Sequence, residues 1–220
     1  MIQVKNLTKN FVRNKSSFDA VNNVSLEIKK GEFVAIIGHS GSGKTTLFNM
    51  IAGLIHPTEG SVFIDGQDFS GMSEKEKSKF RNENMGYVLQ GQSLLNNFTI
   101  LDNICMPAYL SGESKEFKKR AMQLLEKIGL ADLANDYPSN LSGGEMRRVA
   151  IVRAMLNQPK VLLADEPTSN LDPENAHKVM KMLQEISEAG TSVLLSTHEL
   201  EYLEYADSVV KMERGKIKDI

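Results

Sequence analysis

Residues 38–45 have the residue types and the spacing needed to hold a nucleoside triphosphate. They read Gly-His-Ser-Gly-Ser-Gly-Lys-Thr, which fits the pattern Gly-x-x-x-x-Gly-Lys-Ser/Thr. Glycines let backbone N–H groups approach a phosphate, the Lys44 ammonium suits the β- and γ-phosphates, and the Thr45 hydroxyl can ligate Mg²⁺. The nucleotide-binding residues predicted from this segment are Gly38, Ser40, Gly41, Ser42, Gly43, Lys44, Thr45 and Thr46.

The acidic pair Asp165-Glu166 directly follows the apolar run 161–164. Successive residues leaving a strand point to opposite sides, so the two carboxylates cannot have the same task. We expect Asp165 to serve Mg²⁺, directly or through water, and Glu166 to orient or deprotonate an attacking water. Such a pair can also be an ordinary turn, but the phosphate-binding pattern favours the catalytic interpretation.

Gln90 ends a further predicted strand at 86–89, and Thr197-His198 come shortly after another at 191–195. A histidine there can donate a hydrogen bond to a phosphate or move a proton, although an ordinary surface histidine is the alternative. Ligands of open parallel sheets bind outside the carboxyl ends of the strands. The sequence therefore predicts that residues 38–45, Gln90, the acidic pair and His198 share one site.

The elements that would position these residues are typical of an α/β fold. Residues 33–37 form a short apolar run before the glycine-rich loop, and a helical pattern follows it. We predict one domain over 1–220, with a phosphate-loop NTPase core, a mostly parallel sheet and an antiparallel β subdomain in 1–90 and 159–220. A helical subdomain is predicted for about 91–158, and a closing hairpin for 207–220.

Within the first 30 residues, we predict two short strands near 2–7 and 21–28, joined by a polar loop. Phe11 would follow the first of them. It is a candidate for stacking on a nucleotide base, although packing on the sheet is an equal alternative, and Phe18 is a weaker rival for the same role.

Two further segments leave alternatives open. Residues 93–110 are unusually apolar for a connection, so they form either the core of a second lobe or a surface for a partner. In 141–145, Ser142 can cap the following helix, and Gly143 and Gly144 leave bare N–H groups at its positive end. That helix start is therefore either an ordinary cap or a second anion site.

The composition excludes several classes of protein. A net charge of −2 gives no general attraction to nucleic acid. Cys105 is the only cysteine, so an internal disulfide is excluded, and a packed thiol in a reducing cytosol is expected. No apolar run approaches the roughly 20 residues that cross a bilayer, and the first residues do not resemble a signal peptide. Any link to a membrane would therefore go through a partner.

Taken together, these motifs closely resemble the ATP-binding cassette of ABC transporters over essentially the full length. Residues 38–45 resemble its Walker A motif, Gln90 its Q-loop, 141–145 its LSGG signature, and 161–166 its Walker B motif. Residues 169–172 resemble its D-loop, His198 its switch histidine, and Phe11 its base-stacking aromatic residue. Within the family, the phrases at 79–82, 106–107 and 163–172 are most similar to the bacterial branch of lipoprotein-release, macrolide-efflux, antimicrobial-peptide-resistance and cell-division ATPases.

The resemblance implies a homodimer that sandwiches two ATP molecules with Mg²⁺. The metal ligands would be Thr45, Gln90 and Asp165, and the catalytic residues Glu166, His198, Gln90 and Lys44. Ser142, Gly143 and Gly144 would bind the partner's nucleotide, and Asp172 would contact the other subunit.

It also implies that the Gln90 region passes motion to an integral membrane permease, with the cassette on the inner face of the cell membrane. A nucleotide-switched regulator that moves no substrate is the alternative. A soluble cassette acting on nucleic acid is disfavoured, since the chain has neither a second cassette nor a basic face.

Overall fold

The computed structural model describes residues 2–13, 16–91, 93–111 and 115–218, and its centre is a six-stranded sheet. In spatial order the strands are β10 (Lys216–Lys218), β9 (Ser208–Glu213), β3 (Phe33–Ile37), β8 (Ser192–Thr197), β7 (Val161–Asp165) and β6 (Met85–Val88). All neighbouring pairs are parallel except β9 and β10, which form the hairpin predicted for 207–220. Residues 219 and 220 of that prediction lie outside the described residues.

The central strands are buried on both faces, which is why they read as unbroken apolar runs. Because alternate residues of a strand face opposite sides, the sheet separates two cores. Phe33 and Ala35 pack in the first core and Val34 and Ile36 in the second. The helices are α1 (Lys44–Ile51), α2 (Glu74–Asn84), α3 (Ile100–Ser111), α4 (Lys115–Lys127), α5 (Gly143–Met155) and α6 (Pro173–Glu188), with 3₁₀ turns at Ala131–Leu133, Pro138–Asn140 and Leu200–Tyr205.

A second sheet, antiparallel and four-stranded, covers the second core. Its spatial order is β2 (Ser16–Ile28), β1 (Ile2–Arg13), β4 (Glu59–Ile64) and β5 (Gln67–Asp68). The predicted limits of its first two strands were wrong, because both continue into the segment expected to be a polar loop. The first four residues of β2 are exposed, so backbone hydrogen bonds hold this part of the strand. The sequence there lacks the alternation of apolar and polar residues that would predict a strand. Residues 14 and 15 of the predicted loop are not among those described.

Helices α3, α4 and α5 lie within the range for which a helical subdomain is predicted; that division stays a prediction. Part of the apolar stretch 93–110 belongs to the core and part is exposed; its use as a partner surface stays a prediction. Ile100 and Ile104 are fully buried in the first core, whereas Leu95 and Phe98 remain exposed. The Cys105 thiol is also buried, and burial raises its pKa. No helix in the described part of the chain is long and apolar enough to cross a membrane.

Candidate active site

The glycine-rich loop lies between β3 and α1 and closely approaches neighbouring backbone. A Cβ added at Gly43 would lie 2.2 Å from the Ala20 carbonyl oxygen, and one at Gly38 would lie 2.3 Å from that of Met212. Gly43 also has a φ of 105°, which L-residues with side chains rarely adopt. These two positions therefore require glycine because of the strands that pack on the loop, in addition to any ligand.

Lys44 is the first residue of α1, and its side chain returns across the loop. Its Nζ donates hydrogen bonds of 2.6 Å to the Gly38 carbonyl and 3.3 Å to that of His39. Ser42 Oγ, in the same loop, is buried without a hydrogen-bond partner in the described structure. A buried hydroxyl without a partner is uncommon in a folded protein, and a ligand oxygen beside the loop would satisfy it. The loop therefore fits an anion such as a phosphate.

Three side chains from different elements converge on the Glu166 carboxylate. Gln90 Nε2 donates a 2.8 Å hydrogen bond to Oε2. Lys44 Nζ lies 3.5 Å from Oε1, and His198 Nδ1 lies 3.6 Å from the same oxygen. This confirms that the four signals lie at one edge of the sheet, as expected from strands β6, β7 and β8, which are adjacent and parallel.

The backbone at the end of β7 separates the two acidic residues. Glu166 has a φ of 46°, and its N–H donates to the Ser196 carbonyl at 3.0 Å. Asp165 is buried, and its Oδ1 accepts a hydrogen bond from the Ser196 hydroxyl. Burial, with a contribution from the Asp165 charge, raises the pKa of Tyr87 well above its usual value. Glu166 therefore faces the loop while Asp165 is held within the sheet.

A pocket of about 870 Å³ extends from this carboxylate along the loop to β1 and β2. Asp19, Ala20, His39, Arg214 and Gly215 line it without having been predicted. Gly38 and Asp165 do not line it, although Gly38 accepts the Lys44 hydrogen bond. The predicted residues that do line it are Phe11, Ser40, Gly41, Ser42, Gly43, Lys44, Thr45, Thr46, Gln90, Glu166 and His198.

The aromatic candidates Phe11 and Phe18 lie together at the far end of the pocket. They are paired across β1 and β2, and their ring centroids are 6.0 Å apart with a tilt of 34°. Both rings remain exposed, so neither belongs to the core of the sheet. A gap of 6.0 Å is too small to admit a base between the rings, which leaves their outer faces for stacking.

The segment around Ser142 lies outside this pocket. Ser142 caps α5: its Oγ accepts from the Glu145 N–H at 3.3 Å, and its own N–H donates to Glu145 Oε2 at 2.8 Å. These bonds with Ser142 hold the pKa of Glu145 below its usual range. The cap is therefore confirmed, while Ser142, Gly143 and Gly144 do not line the pocket of their own chain.

Asp172 also lies outside the pocket, where it caps α6 through the Asn175 N–H at 3.0 Å. Asn175 in turn donates to Asp172 Oδ2 at 2.7 Å and accepts from Arg148 at 3.2 Å. A Cβ on Gly144 would lie 2.4 Å from the Asn175 side chain. Asn175 thus joins α5 to the segment before α6, a role that the sequence did not reveal.

The segment around Gln90 is fixed to α5 by two arginines that the sequence analysis also missed. Arg147 Nη1 donates a 3.0 Å hydrogen bond to the Leu89 carbonyl, and Arg153 Nη1 donates one of 2.8 Å to the Ser93 carbonyl. Burial lowers the pKa of both guanidinium groups. The sequence places both arginines on a helix. It does not identify their partners, because these are backbone carbonyls, which every residue has.

The fold and the motif set define a nucleotide-binding ATPase cassette. The sequence profile described as "ABC transporter" matches residues 21–169. The chain belongs to this family, and it is an ATPase of the ABC type.

Its relatives agree with the branch indicated by the sequence. The chain is 42% identical to the lipoprotein-releasing system ATP-binding protein LolD of Buchnera aphidicola, covering 99% of this chain and 96% of that one. It is also 42% identical to an uncharacterized ABC transporter ATP-binding protein of Methanocaldococcus jannaschii, covering 100% and 99%. The macrolide export ATP-binding/permease protein MacB of Chlorobaculum tepidum is 41% identical, and the chain covers 34% of that longer protein.

Among solved structures, the cassette MJ0796 is similar over the whole chain. Its dimeric post-hydrolysis structure, bound to ADP and Pi, has a TM-score of 0.92 and 36% identity, covering 100% of this chain and 97% of that one. A nucleotide-free ATP-binding cassette from an ABC transporter has a TM-score of 0.88 and 28% identity, covering 100% and 90%. These likenesses confirm the predicted ABC ATPase fold.

Proposed function

We propose that this chain binds and hydrolyses ATP with Mg²⁺ as one half of a homodimer, and thereby drives or gates a separately encoded membrane permease. The observation that carries the proposal is the convergence of Lys44, Gln90 and His198 on the Glu166 carboxylate, directly beside an anion-binding loop. Each of these groups has a use in phosphoryl transfer to water, and each comes from a different strand end or helix start.

Binding would use the loop and the aromatic end of the pocket. The loop N–H groups, the Ser42 hydroxyl without a partner and Lys44 would hold the phosphates, with a base stacking on Phe11. Thr45 and Gln90 line the pocket with neutral oxygens. That set fits Mg²⁺, which uses few protein ligands and keeps phosphate and water oxygens. Asp165 would act through a bridging water, since its side chain does not reach the pocket lining. When bound, Mg²⁺ would neutralise phosphate charge.

Hydrolysis would depend on Glu166 as the group that orients the attacking water and accepts its proton. Its position is defined by Gln90 on one side and by Lys44 and His198 on the other. Lys44 would remain on the phosphates, and a protonated ring nitrogen of His198 would donate to the γ-phosphate as its charge grows. The other His198 nitrogen, Nδ1, is the one near Glu166, so the ring can contact the carboxylate and a phosphate at once.

The proposed homodimer is supported by the position of the helix start at Ser142. Ser142, Gly143 and Gly144 form a helix start with polar and N–H groups, yet they do not line the nucleotide pocket of their own chain. In an arrangement of two copies related by a two-fold axis, each copy would place this helix start on the other's nucleotide. The cassette MJ0796, similar in fold, is described as dimeric.

The permease would contact the chain near Gln90 and the helical subdomain. Leu89, Leu95 and Phe98 are exposed around this segment, and exposed apolar groups that cluster indicate a protein partner. Arg147 and Arg153 tie the same segment to α5, so a push on it would move the helix that faces the other subunit's nucleotide. The relative MacB is named as both ATP-binding protein and permease. Such a partner would hold this chain at the inner face of the cell membrane.

Mixing two inactive variants tests the shared site. We expect Lys44→Ala to lose ATP binding, and Ser142→Arg to keep binding but lose hydrolysis. An equal mixture should recover up to about one quarter of wild-type turnover, because half of the random dimers carry one intact composite site. No recovery would contradict a site shared between subunits. Substrate movement by a reconstituted permease complex, measured separately, distinguishes a transport motor from a nucleotide-switched regulator.

A further inference from the structure

The β9–β10 turn places a cation at the wall of the nucleotide pocket. Arg214 and Gly215 are the two residues between the paired ends of the hairpin, Glu213 and Lys216. Arg214 lines the pocket together with the phosphate loop and with Phe18 and Asp19. Nothing in the assignments above gives this side chain a task.

The turn is fixed to the phosphate loop by its backbone. The Gly215 N–H donates a 2.9 Å hydrogen bond to the Ser42 carbonyl, and the Gly215 carbonyl accepts one of 2.8 Å from Asn22. The position of Arg214 is therefore set by the loop that would hold the phosphates, on the side nearest β2. With a base on Phe11 and the terminal phosphates at Lys44, as proposed above, Arg214 would lie beside the part of the nucleotide between them.

Arg214 is also an unfavourable residue for this turn. Its φ is 47° and that of Gly215 is 78°, the type I′ geometry that favours asparagine or aspartate in the first place. The hairpin between β4 and β5 has the same geometry, with φ values of 51° and 78°, and it has Asp65-Gly66. Arginine in this conformation is uncommon, and an outlier of this kind at a ligand pocket points to a functional constraint.

The guanidinium group of Arg214 forms no hydrogen bond or ion pair with any described residue of the chain. Asp19 is the carboxylate at the same end of the pocket, but its oxygens accept from Asn10 at 3.1 Å and Asn22 at 2.8 Å. Asp19 is thus occupied by amides. An exposed cation beside a phosphate loop suits a phosphate oxygen, for which arginine offers two parallel donors.

We propose that Arg214 binds the phosphate nearest the ribose of the bound nucleotide, as a fourth cationic or polar contact beyond the loop, Lys44 and His198. This inference rests on the proposed function, since it assumes that ATP occupies the pocket. It assigns the C-terminal hairpin a direct part in nucleotide affinity.

The test compares Arg214→Asn with Lys216→Asn, a variant that removes a cation from the same hairpin but outside the pocket lining. Affinity is measured by titration with Mg²⁺–ADP, which avoids turnover, and stability by thermal unfolding. For Arg214→Asn we expect the Kd to rise about two- to tenfold, as for an exposed charged contact. The unfolding temperature should stay equal or rise, because asparagine suits the turn better. Lys216→Asn should leave the affinity unchanged, while asparagine in the strand lowers stability slightly.

A structural role for Arg214 predicts the opposite pattern, with lower stability and unchanged affinity. Wild-type affinity in Arg214→Asn, or an equal loss in Lys216→Asn, would overturn the inference. Arg214→Lys keeps the charge and should recover part of the affinity. If the wild-type chain itself failed to bind Mg²⁺–ADP or ATP, the proposed function would fail first, so the two failures are distinguishable.

Discussion

Replacing Glu166 with glutamine is the perturbation whose outcome the site geometry defines best. Glutamine has nearly the same shape, and its amide oxygen can still accept the hydrogen bond from Gln90 Nε2, which is 2.8 Å long in the wild-type site. The substitution removes the carboxylate, which is the proposed proton acceptor and carries a negative charge 3.5 Å from Lys44 Nζ. The change is therefore chemical rather than structural.

Loss of a general base lowers turnover about 10²- to 10⁴-fold, which corresponds to roughly 3–5.5 kcal/mol of transition-state stabilisation. Binding should respond differently. Lys44 would no longer have a carboxylate competing with the phosphates for its charge, so we expect ATP to bind as tightly as to the wild type or more tightly. In Glu166→Gln, turnover should therefore fall while the affinity for ATP stays the same or rises.

The assay combines steady-state phosphate release with ATP titration and size-exclusion chromatography in Mg²⁺–ATP. If the chain forms the proposed dimer, the variant should accumulate as an ATP-bound dimer, because it cannot hydrolyse the ATP that joins the two copies. Glu204→Gln is the matched control, because that carboxylate is exposed and does not line the pocket. Normal hydrolysis by Glu166→Gln, or weak ATP binding together with slow turnover, would refute the assignment of Glu166 as the base.

Two further changes test the contacts that hold the site's surroundings. Gly144→Ala places a Cβ 2.4 Å from the Asn175 side chain and should lower the free energy of unfolding by about 1–3 kcal/mol, or the unfolding temperature by roughly 2–10 °C. Gly143→Ala is the control, because its Cβ would lie 3.5 Å from Leu171 and should destabilise the chain less. Equal losses in the two variants would contradict this packing argument. Arg153→Met removes the hydrogen-bond donors to Ser93 and should lower the free energy of unfolding in urea by about 1–3 kcal/mol. Amide hydrogen exchange around Ser93 should also become faster. Unchanged exchange there would show that Arg153 does not hold this segment on α5.

The signals that the sequence revealed are those that depend on local chemistry. A phosphate loop needs its glycines and lysine within eight residues. Strand β3 and the first four residues of β7 are continuous apolar runs, followed by the glycine-rich loop and by the acidic pair. Ser142 could be recognised as a cap because a capping box needs only a hydroxyl and, three residues later, a carboxylate such as Glu145. The convergence of Gln90, Glu166 and His198 then follows from the adjacent parallel strands that precede them.

The features that the sequence did not reveal depend on pairing across the chain. The distal halves of β1 and β2 are stabilised by backbone pairing between exposed residues, so Phe11 could not be placed within a strand from its neighbours. Asn175 and Arg147 look like ordinary helix-surface residues until their partners, Gly144 and the Leu89 carbonyl, are known. Arg214 precedes a glycine in a predicted hairpin, which was a signal for the turn but not for the pocket.

One chain of contacts joins Glu166 to the helix start at Ser142 within the same subunit. The Glu166 carbonyl accepts from Ser169 Oγ at 2.9 Å, and the segment from Ser169 leads directly to Asp172, the cap of α6. Asp172 holds Asn175, which packs on Gly144 at the start of α5. In the proposed dimer that helix start belongs to the other subunit's nucleotide. In that dimer, about ten residues of backbone and one asparagine side chain would connect Glu166 at one site to the helix start at the second site, so we expect nucleotide binding at the two sites to be coupled.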